Sequence, residues 1–296
     1  MKDDTTMTLR SLLAKITDNE GLNFVLTNYV PRRTLTTLVG RLAKIEQPLI
    51  RDISIAVWRQ FSDLDLSEAK KTSFKSLHDC FIRELKEGAR PVDLRADVLV
   101  SPSDGVVGTS GQIADGVMLQ VKGSTYPLAE LIREEQLVAA YCNGTYVTLR
   151  LTASMYHRFH APHDCTVERL THIAGDTWNV NPPALKRVPH LFCRNERAVA
   201  QLTLTESRHR VTLVPVAAIA VACIRLHFAE LPRDRQHAEP WSIDCSASFA
   251  KGQEMGWFEH GSTIIVLAPP GFAPCHGIDE GHMVRMGEPL LQLPRG

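Results

Sequence analysis

Apolar residues in the N-terminal part of the chain recur at helical spacing. From Leu35 onward, Leu38, Leu42, Ile45, Leu49, Ile53 and Val57 follow at three- and four-residue steps and line one face of a helix. Pro48 falls inside this run and predicts a kink or a division, because proline has no N–H to donate and its ring crowds the preceding turn. Residues 5–90 as a whole read as mostly helical. Beyond Pro91 the period drops to two. Val147, Leu149 and Leu151 alternate with Tyr146, Thr148 and Arg150, and Ala200, Leu202 and Leu204 alternate with Gln201, Thr203 and Thr205, which is the pattern of half-buried strands. Pro215 to Ile224 is almost wholly apolar and suits a strand covered on both faces. In the tail, Gly281 to Leu293 reads as a hairpin-like piece, with Gly287 near its turn and Pro289 to Leu293 as its closing strand. The expected fold class is α+β. A helical, membrane-associating region (1–90) precedes a β-rich body of barrel or sandwich type (91–296), which the C-terminal segment completes.

Composition narrows the function classes. Hydrophobic residues make up 44% of the 296 and charged residues 22%, enough to bury a core and solvate its surface. The 33 basic and 33 acidic residues cancel, which argues against nucleic acid as the main partner, since phosphate binding needs a basic excess. The seven cysteines are dispersed with no C-x-x-C pair, as expected of reduced thiols in a cytosolic setting. Residues 1–10 are polar and lack the apolar core of a signal peptide. No run approaches the roughly 18–20 apolar residues of a membrane span. Between Tyr29 and Arg59, however, Arg32, Arg33, Arg41, Lys44, Arg51 and Arg59 face only Glu46 and Asp52, a local net charge of +4. A basic amphipathic segment of this kind can dock on anionic lipid. A helix packed on its own body, with a solvated charged face, is the plainer reading, and composition alone favours it slightly.

Four segments carry candidate chemistry. Ser101-Pro-Ser-Asp-Gly105 follows the apolar Val98–Val100; Pro-x-Asp-Gly is a common turn, and the same turn can hold Asp104 rigidly enough to orient a histidine. Tyr156-His-Arg-Phe-His-Ala-Pro-His163 places histidines at 157, 160 and 163. Their spacing suggests metal ligation, but no carboxylate or cysteine motif supports it, and Pro162 would break a helix bearing all three, so no metal is expected. His157 and His160 look more like acid–base groups, although an ordinary core or surface position is the usual fate of any one histidine. Arg194-Asn-Glu-Arg197 reads by default as a solvated charge cluster. Finally, Lys251 to Ile265 contains Gly261-Ser-Thr263 between a glycine-spaced lead-in and a strand. Gly-Ser-Thr occurs by chance, and a second copy stands at Gly123-Ser-Thr125. Only the later copy combines an unhindered glycine carbonyl, a backbone tolerant of strain and an adjacent hydroxyl nucleophile, Ser262, at a strand start.

In this order, the four segments resemble the phosphatidylserine decarboxylase family. Its Pro-x-Asp-Gly matches Pro102–Gly105, its Tyr-His-Arg-x-His-x-Pro matches Tyr156–Pro162, and its Leu-Phe-x-Arg-Asn-Glu-Arg matches Leu191–Arg197. Its Lys-Gly-x-Glu-x-Gly-x-Phe followed by Gly-Ser-Thr matches Lys251–Thr263. Phe81–Leu85 and Arg90–Asp93 are similar to its N-terminal half, so the likeness spans about residues 20–295. Lys122 to Tyr126 is similar to a different family segment that precedes a leucine-rich helix, here Leu128–Ile132, which removes the first Gly-Ser-Thr as a cleavage site. One departure stands out: His260 occupies the position before Gly261 where the family usually has leucine, and a titratable ring there can alter the rate or pH dependence of processing.

The resemblance implies a self-processing enzyme. Asp104 would orient and charge His160, which takes the proton of Ser262; the freed oxygen attacks the Gly261 carbonyl. The chain would separate into a β chain (1–261) and an α chain (262–296), leaving a covalent pyruvoyl cofactor derived from Ser262. That carbonyl would condense with the substrate amine and draw in the electrons left by CO2. His157 is the candidate for returning a proton to the α-carbon, with His160 as the alternative. The implied substrate is phosphatidylserine and the product phosphatidylethanolamine, made by a carboxy-lyase peripheral to the cytoplasmic side of a membrane. A homodimer is compatible with this without being fixed by it. Two alternatives keep the scaffold: a pyruvoyl-dependent decarboxylase of a soluble amino acid, and a non-catalytic lipid-binding module. A serine hydrolase fits less well, because no G-x-S-x-G elbow is present.

Overall fold

The computed structural model describes residues 40–119, 125–218, 224–232, 239–259 and 261–294. Pro48 divides the N-terminal helical run instead of bending it. Residues 40–43 are helical, and a new helix, α1 (Pro48–Phe61), starts at Pro48, where a missing N–H costs nothing. The Gln47 side chain accepts from Ile50 N at 2.8 Å and caps the new start. Within the described part of residues 5–90, only one further helix follows, the short α2 (Leu77–Phe81) capped by Ser76. The expectation of a mostly helical region therefore holds less far than the apolar spacing suggested, and residues 62–76 and 82–97 run as turns and extended chain. Ile55 and Trp58 pack from α1 against Phe74 and Cys80. The other apolar face of α1 is open: Leu49, Ile53 and Val57 are 64, 55 and 48% exposed.

The body is built on one antiparallel sheet of eight strands. Its strands are β2 (Gly105–Gln112), β5 (Thr145–Leu151), β7 (Cys165–Ile173), β8 (Arg197–Leu204), β9 (Arg210–Ala217), β11 (Trp241–Phe249), β13 (Ser262–Ala268) and β15 (Met283–Val284). They lie in the order β11-β7-β8-β9-β13-β5-β2-β15. Both faces are covered. On one side Val147, Leu149, Leu202, Ile264 and Val266 join a large apolar cluster. On the other, Tyr146, Val214, Val216, Ile265 and Leu267 meet Leu128, Leu131 and Leu191 from short helices. Double coverage explains why β5, expected to be half-buried, is buried at every position except Arg150. The apolar run from Pro215 ends its strand at Ala217; residues 219–223 lie outside the described residues, and Ile224 opens β10 (Ile224–Leu226).

Two three-stranded sheets flank this one. The first has the order β10-β12-β6, with β12 (Glu254–Phe258) central and β6 (Arg158–His160) at an edge. The second has the order β1-β16-β14, built from β1 (Val98–Val100), β14 (Ala273–Pro274) and β16 (Pro289–Gln292). The tail is consequently not a hairpin: β15 pairs with β2, and β16 pairs with β1 and β14. Gly287 does sit at the turn between them with φ 90°, a conformation that glycine adopts without steric cost.

The Arg-Asn-Glu-Arg run is not a solvated cluster. Asn195, Glu196 and Arg197 are buried, and the Arg197 guanidinium donates to the carbonyls of Glu130, Leu131, Cys193 and Asn195. It satisfies four backbone acceptors from two segments and so acts as an internal clamp.

Candidate active site

Ser262 is the first residue of β13 and lies between two strands, in register with Leu151 of β5 and Ala217 of β9. It is fully buried, and its Oγ has no hydrogen-bond partner among the described residues. A buried hydroxyl without a partner costs free energy and calls for an explanation. The chain reaches Ser262 from β12 of the flanking sheet through Glu259 and Gly261; His260, singled out in the sequence, lies outside the described residues. Gly261 is not in the left-handed region, and an added Cβ there would meet nothing within 4 Å, so the tolerance of strain that glycine offers is not drawn on by its φ. Glu259, buried just upstream, accepts from Arg225 Nε at 3.2 Å and lies 3.5 Å from Lys44 Nζ and 4.0 Å from His78 Nε2. Burial raises its carboxyl, but Arg225, Lys44 and His78 outweigh that and hold it below the usual carboxylate range.

The histidines come from the segment that leaves β5 beside Ser262. His160, at the end of β6, is buried, and its N–H donates to Pro102 O at 2.8 Å. This bond brings the Pro-x-Asp-Gly turn beside it. Ring Nδ1 lies 2.8 Å from Gly252 O, and Nε2 lies 3.0 Å from the Tyr156 hydroxyl. A carbonyl only accepts, so Nδ1 carries the proton and Nε2 presents its lone pair toward Tyr156. Burial pushes His160 below its ordinary range; the bond to Gly252 and the charges of Glu254 and Asp104 oppose this without reversing it, and Arg158 adds to it. Burial pushes the Tyr156 phenol upward, so Tyr156 stays protonated and donates. The result is a neutral imidazole with its basic nitrogen fixed in direction.

His157 is fully buried, donates from Nδ1 to Met155 O at 2.9 Å and packs on the Phe81 ring with centroids 4.0 Å apart. Its carbonyl accepts from Phe258 N at 2.9 Å, which ties it to the strand leading toward Gly261. Arg83 donates to Ser154 O at 2.8 Å and fixes the turn that precedes it. His163 is used differently: Nε2 lies 2.8 Å from Ala96 O.

Asp104 is buried near this group but does not hydrogen-bond His160. Its oxygens accept from Arg90 Nε at 2.8 Å and Arg90 Nη2 at 2.6 Å, and Oδ1 accepts from Met286 N at 2.9 Å. Tyr156 and Gly252, not Asp104, orient the imidazole. Sequence reasoning quoted Tyr156 and Arg90 as motif letters without giving either a task. The spacing of Tyr156 and His160 was a usable signal; nothing in the sequence pointed Arg90 at Asp104. The first Gly-Ser-Thr contributes only Thr125 to the described residues, in β4 (Thr125–Pro127), and the helix expected after it, α3 (Leu128–Ile132), is present.

Comparison with known proteins follows the same residues. The sequence profile of the family described as phosphatidylserine decarboxylase matches residues 77–292. The phosphatidylserine decarboxylase proenzyme of Aliivibrio fischeri (strain MJ11) is 33% identical over 286 residues, covering 93% of this chain and 99% of that one. The proenzyme of Haemophilus influenzae (strain Rd) is 36% identical over 246 residues, covering 80% and 84%. That of Anaeromyxobacter sp. (strain K) is 33% identical over 285 residues, covering 92% and 98%.

Proposed function

The chain belongs to the phosphatidylserine decarboxylase family, and from that premise we propose that it is a proenzyme that cuts itself between Gly261 and Ser262 and decarboxylates phosphatidylserine. One observation carries the cleavage site: a buried, unpartnered serine hydroxyl at the head of a central strand, directly after a glycine. Ser262 Oγ gives up its proton and attacks the Gly261 carbonyl carbon, forming an ester as the amide C–N bond breaks and its nitrogen takes a proton. Elimination then frees a Gly261 carboxylate and leaves a dehydroalanine, and water converts this to a pyruvoyl group with loss of ammonia.

In this scheme His160 is the base. Its lone pair faces the Tyr156 hydroxyl, so the proton of Ser262 reaches Nε2 by way of that hydroxyl or by displacing it. Asp104 acts on His160 through its charge alone, since its oxygens are occupied by Arg90 and Met286. The pyruvoyl group supplies a carbonyl that condenses with an amine and accepts the electron pair released with CO2. His157, buried and fixed by Met155, is the residue proposed to return a proton to the substrate α-carbon. The dry surroundings favour loss of a charged carboxylate.

Among the described residues no helix is long and apolar enough to cross a membrane. The open face of α1, with Leu49, Ile53 and Val57 exposed beside Arg59, suits contact with a phospholipid surface from one side.

Intact mass and CO2 release test the reading together. The natural chain should give two fragments, 1–261 and 262–296, and Ser262→Ala one. Phosphatidylserine vesicles should yield CO2 and free serine should not. Replacing His157 by alanine should spare cutting and abolish turnover. A Ser262→Ala protein that still splits refutes the site, and equal CO2 from free serine refutes the substrate.

A further inference from the structure

Three carboxylates are buried among the described residues: Asp104, Glu196 and Glu259. Arginine engages two of them, Arg90 at Asp104 and Arg225 at Glu259, and a guanidinium holds a carboxylate charged without ever giving up a proton. Glu196 is paired with an imidazole instead. Its Oε1 lies 3.3 Å from Nε2 of His172, and the side chains of Glu196 and His172 are 5% and 2% exposed. A carboxylate–imidazole pair can accept and pass on a proton. Neither residue takes part in the proposed cleavage.

Strand alternation puts this pair on the face of the large sheet that carries Ser262. Ser262 is in register with Ala217 of β9, and Ala217 N donates to Glu196 O at 2.8 Å, so Ser262, Ala217 and Glu196 form one row across the sheet. Residues directly opposite one another share a face, and on this face Ala217 and Ile264 join the large apolar cluster. His172 stands in register with Ala198, of the same cluster. The next residue, Arg197, turns to the other face and donates to the carbonyls of Glu130 and Leu131. Two strand spacings of about 4.8 Å separate the Cα atoms of Ser262 and Glu196, roughly 10 Å in all. Only the methyl group of Ala217 stands between them in the row.

Resting on the reading that Ser262 becomes the reactive carbonyl, we infer that Glu196 is a further catalytic residue, which receives the substrate's ammonium group and takes one of its protons, with His172 as the residue that positions it. The condensation needs a neutral amine, and an alkylamine near neutral pH is an ammonium ion. The carbonyl forms at the Cα of Ser262. A glutamate side chain, a hydrogen bond of about 2.8 Å and a reacting contact of about 3–3.5 Å together span the distance from that atom to the Glu196 Cα. An ionised carboxylate has room for several donors, so the bond from His172 is compatible with one from an ammonium. Its charge also orients a headgroup that carries both signs, drawing the ammonium toward Ser262 and repelling the carboxylate and phosphate. In the transfer one N–H bond breaks, its electron pair stays on nitrogen as the lone pair that attacks, and the proton is held on Glu196. That proton then passes to the oxygen that leaves as water in the condensation, and Glu196 returns to its charged form.

The test reads adduct formation on the full-length, self-processed enzyme, apart from CO2 release. Phosphatidylethanolamine in mixed micelles offers the amine with no carboxylate to lose, and trapping with cyanoborohydride adds its mass to the 262–296 fragment. The adduct is scored as a fraction of that fragment, so the extent of self-cleavage drops out. Methoxyamine, whose nitrogen is already neutral at pH 7, is the comparison. At pH 7, Glu196→Gln should form the phospholipid adduct about a hundredfold more slowly than the natural enzyme and the methoxyamine adduct within about threefold of it. The phospholipid deficit should shrink as pH rises toward the pKa of the amine, which then arrives without its proton. His172→Asn, whose amide can still donate to Glu196, should show the same pattern with a deficit of about tenfold. A Glu196→Gln protein that forms the phospholipid adduct at the natural rate would overturn the inference. Equal slowing of both reagents at every pH would overturn it too, because that marks a structural role. If Glu196→Gln does not fold, His172→Asn decides by the same comparison, and an absent or reagent-independent deficit overturns the inference. A natural chain that yields no 262–296 fragment would instead overturn the proposed function.

Discussion

Replacing Arg90 by leucine tests what the buried Asp104 carboxylate depends on. Arg90 donates to both oxygens of Asp104, at 2.8 and 2.6 Å, and to Glu68 at 2.7 Å. The side chains of Arg90 and Asp104 are only 9% and 10% exposed, so solvent screens the pair little. Without Arg90, the Met286 N–H is the last hydrogen-bond donor to Asp104 among the described residues. Removing one partner of a buried pair leaves an uncompensated charge and costs about 3–5 kcal/mol; the Glu68 contact, 35% exposed on the acid's side, adds little. Neutralising the orphan should relieve much of this. The double variant Arg90→Leu/Asp104→Asn should therefore be less destabilised than the sum of the singles by roughly 1–3 kcal/mol. Urea unfolding in a Ser262→Ala background keeps one uncut polypeptide and makes the four midpoints comparable. Costs that simply add within about 0.5 kcal/mol would refute the claim that the pair is coupled and dry. The same proteins with Ser262 intact separate two tasks. If the Asp104 charge serves His160, Asp104→Asn slows self-cleavage more than Arg90→Leu does, because the latter keeps the charge.

Three further outcomes follow from the geometry. Tyr156→Phe removes the hydroxyl that faces His160 Nε2, at a stability cost of about 1 kcal/mol, and should slow cutting by more than that loss explains; unchanged cutting would release Tyr156 from the proton path. Burial holds His160 below its ordinary pKa, so its neutral, basic form persists below pH 6.5 and cleavage should stay flat through that pH and fall only in more acid solution; a midpoint at or above 6.5 would contradict this. The linked stability has the same direction: the unfolded histidine binds protons below 6.5 while the folded one resists, so its contribution is present above 6.5 and lost as pH falls toward the folded value. Changing Leu49, Ile53 and Val57 to serine should weaken binding to anionic vesicles at least about tenfold, from roughly 1 kcal/mol of half-exposed apolar surface each, and leave self-cleavage untouched; unaltered binding would remove α1 from the membrane contact.

The chemistry of this chain was more legible than its packing. Gly261 and Ser262 could be singled out because the proposed cleavage involves adjacent atoms, and adjacency is what a sequence records. Tyr156 and His160 were nearly as accessible, being four residues apart in one motif, though the lone-pair direction at Nε2 needed Gly252 from the distant turn before β12. Arg90 and Asp104 were both in view, yet their pairing was not, since no periodicity joins a loop residue to a turn. The anticipated Asp104–His160 contact failed for the same reason: two groups in neighbouring segments compete for partners in space, and the guanidinium won. The tail misled because Pro289–Gln292 has the composition of a strand but pairs with Val98–Val100, nearly two hundred residues upstream in sequence. Helical spacing around Leu49 and Val57 was real, but it marked an exposed face and not a core.

Cutting the backbone at Ser262 need not release the C-terminal piece, and the sheet order explains why. β13 lies between β9 and β5 and is paired along nearly its whole length with both. Ile264, Ile265, Val266 and Leu267 are fully buried, alternating between the two apolar clusters, and Phe272, Ile278, Val284, Leu290 and Leu291 are buried beyond them. At roughly 1.5–3 kcal/mol for each fully buried side chain, their burial exceeds any plausible gain in chain freedom from one broken bond. β15 and β16 add pairing to β2 and β1, and Asp104 holds Met286 across the cut. The proposed scission would therefore remove a covalent link between Gly261 and Ser262 while the non-covalent structure on both sides persists. The residue left at the head of β13 would stay where the unpaired serine is, walled by the same strands. A breakable bond at the entrance of a strand paired on both sides would keep the proposed reaction local, so that a new chain end would form among side chains already in place.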